Sequence, residues 1–134
     1  MYVDSSTGNL YAVGNYDIAG LSNGYIVKFG PTGAKIWESW SAGTAGQGLV
    51  YNDLFVKSGV GIHVVGTETA GTETYTFVGE HTDGTSSTSL TWSDNPGTTI
   101  GTDTDQGLSI ALNASTGSNE WATGQPVLGE TAVF

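Results

Sequence analysis

A thirteen-residue frame occurs twice in the chain, once as Tyr25-Ile26-Val27-Lys28-Phe29-Gly30-Pro31-Thr32-Gly33-Ala34-Lys35-Ile36-Trp37 and once as Ser109-Ile110-Ala111-Leu112-Asn113-Ala114-Ser115-Thr116-Gly117-Ser118-Asn119-Glu120-Trp121. Each copy reads as a strand, a Thr-Gly turn and a strand ending in Trp. Gly supplies the positive φ of a tight hairpin, and the Thr beside it can bond the local backbone. A looser third copy, Thr76-Phe77-Val78-Gly79-Glu80-His81-Thr82-Asp83-Gly84, reaches Trp92 after a Ser/Thr-rich insertion around Thr85 to Thr88. Repetition constrains the fold before any single residue is interpreted, because one thin unit cannot bury its apolar side alone and must stack on its neighbours. It does not identify a ligand.

The units run over about residues 1–48, 49–93 and 94–134, the last one partial, within a single β-repeat domain of 134 residues. In the first unit, strands are expected at Gly8 to Gly14, Gly24 to Phe29 and Ala34 to Trp40, with a loop between Gly14 and Gly24. The second offers Leu54 to Val56, Gly61 to Gly66, Tyr75 to Val78 and Ser89 to Trp92, and the third a strand at Leu108 to Leu112. The segment Glu130 to Phe134 is similar to Tyr51 to Phe55, so the end of the chain is in phase with its start. Further copies or blades are therefore the expected partners.

Composition narrows the class. With 21 Gly, 3 Pro and only 12% charged residues, the chain reads as turn-rich all-β structure, and its Trp, Tyr, Phe, Val and Ile are frequent enough to oppose disorder. The formal charge of -10, with Lys28, Lys35 and Lys57 as the whole basic complement, repels a phosphate backbone and an anionic membrane alike. No apolar run approaches a bilayer span, so neither nucleic acid nor membrane insertion is expected. The absence of Cys removes disulfides and thiolate metal sites. Residues 1–20 carry Asp4 and Asp17 without a basic start or an apolar stretch, so no secretory signal is visible.

The run Val3-Asp4-Ser5-Ser6-Thr7-Gly8-Asn9-Leu10-Tyr11-Ala12-Val13-Gly14, followed by Tyr25 to Phe29 and Gly33 to Trp37, resembles the bacterial β-propeller repeat found in tandem in secreted surface proteins and some phage structural proteins. Ala111 to Gly117 with Trp121 is similar to the tryptophan-docking turn of quinoprotein-like blades. The resemblance covers most of residues 2–121. It implies propeller-type blades of short antiparallel strands, about two full units and a partial third, with the ring incomplete in one chain. It implies no single activity, since such blades carry many roles.

Candidate site residues follow from these positions. Trp37, Trp92 and Trp121 are expected to pack between blades, with carbohydrate stacking as the alternative. Trp40 falls on the opposite strand face from Trp37 and has no counterpart in the other units, which makes it the candidate for a ligand or interface. Asp94, Asp103 and Asp105 concentrate oxygen donors in one segment and are the calcium candidates, although they lack the full donor spacing of a helical calcium loop. His63 takes the place of Tyr11 in register, His81 precedes a turn, and neither has a nucleophile motif beside it. No catalytic residue and no cofactor other than calcium is expected. The expected function is a non-enzymatic structural or adhesive module on a cell surface, outside a cell or on a virion or filament. A lectin-like oligomer that binds surface glycans is the alternative, and a fragment of a quinoprotein-like or hydrolase propeller is the second.

Overall fold

The computed structural model describes residues 1–43, 46–57, 61–94, 107–112 and 120–124, with the backbone alone for Glu73 and for residues 91–94, 107–112 and 120–124. Strands β1 (Tyr2–Val3), β2 (Leu10–Ile18), β3 (Leu21–Phe29) and β4 (Lys35–Ser41) form an antiparallel sheet in chain order. Strands β5 (Gly48–Lys57), β6 (Gly61–Ala70), β7 (Glu73–His81) and β8 (Leu90–Asp94) form a second such meander. β9 (Gly107–Leu112) and β10 (Glu120–Gly124) pair as a two-stranded sheet. The protein is all-β with open antiparallel sheets, and the described residues include no α-helix.

The expected loop between Gly14 and Gly24 is instead strand on both sides of a two-residue turn. Ile18 pairs with Leu21, and Ala19 and Gly20 between them both have positive φ, 52° and 84°, as the hairpin turn matching strand twist requires. The polar residues that suggest a loop bond to one another across the hairpin. Ser22 Oγ donates to Asp17 at 2.6 Å, and Asn23 Nδ2 donates to the Leu21 carbonyl at 2.9 Å.

Register aligns the units differently from the sequence frame. Lys28 lies across from Trp37 and Tyr11, while Glu80 lies across from Trp92 and His63. Lys28 therefore corresponds to Glu80 and Phe29 to His81, one residue away from the alignment of the Gly-containing turns. The inserted residues before β8 take up the difference, and the offset matters because one residue exchanges the two faces of a strand. Tyr2 across from Tyr11 likewise matches Phe55 across from His63, so two residues of β1 stand where β5 has a full strand.

The first and second sheets pack face to face around one core. Tyr11, Ile26 and Trp37 meet Leu49, Tyr51, Leu54, Val56, Ile62, Val64 and Phe77. Leu49 and Tyr51 reach the same side as Leu54 and Val56 because Asn52 is extra in β5, forming a bulge between Tyr51 and Asp53. Each fully buried aliphatic or aromatic side chain here contributes about 1.5–3 kcal/mol relative to exposure. Contact is close: a Cβ on Gly24 would lie 2.7 Å from the Tyr51 ring. The opposite face of the second sheet carries buried Val65 with Phe55 and Val78, and β9 runs against β5, β6 and β7. The first sheet thus covers the face of the second sheet that carries Ile62, Val64 and Phe77.

Candidate functional site

Two places concentrate chemistry, a joint between the first two sheets and the free face of the first sheet. The joint is made by the turn Thr82-Asp83-Gly84, which follows β7 and reaches back to the Trp row of the first sheet. Tyr11 Oη donates to Asp83 Oδ2 at 2.8 Å, Lys28 Nζ donates to Asp83 Oδ1 at 2.7 Å, and Trp37 Nε1 donates to the Gly84 carbonyl at 2.9 Å. Lys28 also lies 5.0 Å from the centre of the Tyr11 ring and 5.9 Å from that of Trp37. Burial opposes its charge, but the bonds to Asp83 and Tyr11 outweigh that penalty and raise its pKa. Trp37 is 4% exposed and serves packing between sheets.

Behind the joint, His81 is fully buried and shares a 2.9 Å hydrogen bond between its Nε2 and Tyr51 Oη. Burial pushes His81 down to about 4 and Tyr51 up to about 12. His63 is also lowered, by burial, with Glu80 acting against the shift from 3.7 Å. Both imidazoles are buried, His81 at 0% and His63 at 3% exposure.

The free face of the first sheet is different in kind. Strand alternation places Val3, Tyr16, Ile18, Leu21 and Trp40 on the side opposite Tyr11, Ile26 and Trp37. Those five, with Met1 before β1 and Ile36 near the start of β4, are the exposed large hydrophobics of the described residues. Six of the seven lie in the strands of this one sheet, and Met1 immediately precedes it. Trp40 is 52% and Tyr16 56% exposed, and the two rings lie 6.2 Å apart at 32°. Tyr25 stands 6.2 Å from Tyr16 on the other side, and Glu38 completes a hollow of about 410 Å³.

Glu38 accepts hydrogen bonds from Lys35 Nζ and Tyr25 Oη. Lys35 first and Tyr25 second hold its carboxyl below the ordinary carboxylate range. Tyr25 in turn is pushed up to about 12, by burial and by that carboxylate. The outer face is thus apolar and aromatic, with one carboxylate whose charge a lysine already offsets.

The sequence identifies Trp40 on this face but not its partners. Tyr16 falls within the expected loop, and Tyr25 reads as an ordinary frame residue; only the pairing of Tyr25 with Trp40 and Gly14 brings them together. Trp92 stands across from Glu80 and Trp121 across from Ala111. The calcium candidates are not gathered into a described site: Asp94 ends β8 across from Val78, and Asp103 and Asp105 lie outside the described residues. Among the described residues no cluster of three His, Asp or Glu could hold a metal, and no helix is long and apolar enough to cross a membrane.

Comparison with models of known families, with characterised proteins and with solved structures finds no match.

Proposed function

We propose that the chain is a non-enzymatic structural or adhesive module of propeller-type blades that assembles sheet upon sheet with further copies or blades. The observation that carries this reading is the layered contact between the two meanders. The forward face of the first sheet is buried by the second, and its Trp row is gripped by the next unit's turn. Its rear face leaves Val3, Tyr16, Ile18, Leu21 and Trp40 exposed. Such a patch on an otherwise acidic chain marks an interaction surface. An exposed location on a cell surface or virion agrees with the acidic, Cys-free, Thr/Gly-rich composition.

Light scattering of the purified chain across a range of concentrations tests this reading. A defined ring-sized species, or polymers, is the expected result. A mass that stays at one chain of 13.8 kDa at every concentration would remove it.

A second reading has its own observation. The hollow lined by Tyr16, Tyr25, Glu38 and Trp40 offers tilted rings and a hydrogen-bonding carboxylate, the combination that seats a sugar ring. Quenching or enhancement of Trp fluorescence by neutral oligosaccharides, lost in Trp40→Ala, is its expected signature.

A further inference from the structure

We infer that the hollow on the outer face of the first sheet seats at least two consecutive units of a flat, neutral, linear glycan, laid across the strands from Trp40 toward Gly14. The inference rests on the sugar reading given above and specifies the length, charge and path of that ligand. The rings decide how a ligand lies. Tyr16 stands 6.2 Å from both Trp40 and Tyr25, tilted by 32° and 37°. A flat group slotted between two facing rings needs about 7 Å, room for two van der Waals contacts of about 3.5 Å each. Neither gap admits one, so the rings form a platform and a ligand has to lie over them. One pyranose covers one such ring, and centres 6.2 Å apart call for two units in succession. A chain linked through equatorial bonds is flat enough to follow them.

Gly14 marks the path. It stands in the interior of β2 across from Tyr25, which stands across from Trp40. The pairing of β2 with β3 is regular there, Gly14 is not among the glycines of positive φ, and a Cβ on it would meet no atom within 4 Å. The fold therefore sets no requirement for glycine at this place, where its backbone entropy weakens the strand. Close approach of a ligand accounts for it. Across the three strands the row Trp40, Tyr25, Gly14 thus passes from stacking rings to open floor.

Charge and hydration select the class of ligand. Glu38 accepts one hydrogen bond at each oxygen, Oε1 from Lys35 and Oε2 from Tyr25, and each oxygen keeps a further lone pair. A ligand that covers the rings takes this carboxylate out of water, so it has to bring donors of its own, as hydroxyl groups do. A purely apolar chain brings none. The formal charge of -10 repels glycans built from acidic sugars, while Lys35 already offsets the charge that a cationic ligand would seek. A neutral sugar with its C–H face on the rings and its hydroxyls toward Glu38 meets both demands.

Calorimetric titration with glucose, cellobiose and cellotetraose tests this, with oligogalacturonate as the acidic counterpart. Cellobiose and cellotetraose are expected to bind at least about fivefold tighter than glucose, and oligogalacturonate not to bind. Gly14→Val suits a strand and puts a side chain on the path, so it should raise the urea midpoint while bringing cellotetraose down to the affinity of glucose. Tyr16→Ala should abolish the preference for length and Tyr16→Phe restore it, since the ring does the stacking. Unchanged far-ultraviolet circular dichroism verifies the fold of each variant. Equal affinity for glucose and cellotetraose, or wild-type binding of cellotetraose by Gly14→Val or Tyr16→Ala, overturns the inference and leaves the sugar reading standing. Oligogalacturonate bound as tightly as cellotetraose overturns the neutral class. A wild-type chain that gives no heat with any of these sugars defeats the inference and the sugar reading together.

Discussion

Ala19 is the residue held furthest from its own preference. With φ of 52° it occupies the left-handed region at the first central position of the β2–β3 turn, where its Cβ crowds the following carbonyl. Asn tolerates that region and forms the favoured partner to the Gly20 that follows. Ala19→Asn is expected to stabilise the protein by about 0.5–1 kcal/mol, read as a higher urea midpoint at unchanged slope. His81 is constrained by burial instead. Its folded pKa of about 4 lies below the ordinary imidazole value of 6.5, so the unfolded chain binds the proton more tightly and stability falls as pH drops. The loss starts near pH 6.5, grows down to about pH 4, and amounts to roughly 3 kcal/mol from this group. His63 is lowered as well and adds to the trend. Denaturation midpoints between pH 7 and pH 4 measure the loss, and His81→Phe, which places there the residue the first unit has as Phe29, should flatten much of it.

Between elements, the Thr82–Gly84 turn decides how firmly one sheet holds the next. Asp83 accepts from both Lys28 and Tyr11, and the Lys28 ammonium is largely removed from water, with 8% of its side chain exposed. Asp83→Ala leaves that ammonium without its carboxylate, and a loss of about 2 kcal/mol is expected, smaller than for a fully enclosed pair because Asp83 is itself 27% exposed. Glu38→Ala is the matched control. Its partner Lys35 is half exposed, so the unfolding midpoint should not move, although the outer face would lose its only described carboxylate. The repeated frame makes Trp37 legible as a packing residue, since a large ring at the end of a recurrent strand must find burial. It does not make Asp83 legible, because an acidic residue beside Gly also suits a solvated turn. The Asn52 bulge and the one-residue offset between Lys28 and Glu80 are equally silent in sequence, for both depend on which strands pair and on how the inserted residues before β8 are absorbed.

For the whole molecule, the net charge of -10 acts against any further association. The Lys28–Asp83 contact is shielded inside the fold, whereas most carboxylates repel one another through solvent. Raising ionic strength from about 0.01 to 0.15 M shortens the screening length from about 30 to 8 Å. Average mass by light scattering is therefore expected to rise with salt, opposite to the response of an association driven by ion pairs. The all-β class could be reasoned from the turn and strand pattern, and the place of Trp40 opposite Trp37 from alternation. That Tyr16, Tyr25 and Trp40 share one hollow could not, because Tyr16 lies in a stretch whose Asn, Asp, Ser and Gly residues read as loop until the hairpin register is known.

The turn that grips Trp37 lies 47 residues further along the chain, and the order of events during synthesis follows from that. The first meander leaves the ribosome with its tryptophan row bare and has to wait for Gly84 before that indole finds its acceptor. At about 5–20 residues per second the interval is several seconds, long beside the microseconds in which a hairpin closes. The nascent first sheet is consequently sticky on both sides during that interval, and the arrival of the second sheet cures one side only. Indole emission from Trp37 on stalled chains of increasing length should shift to the blue once residue 84 has cleared the tunnel, timing the moment at which one layer becomes two.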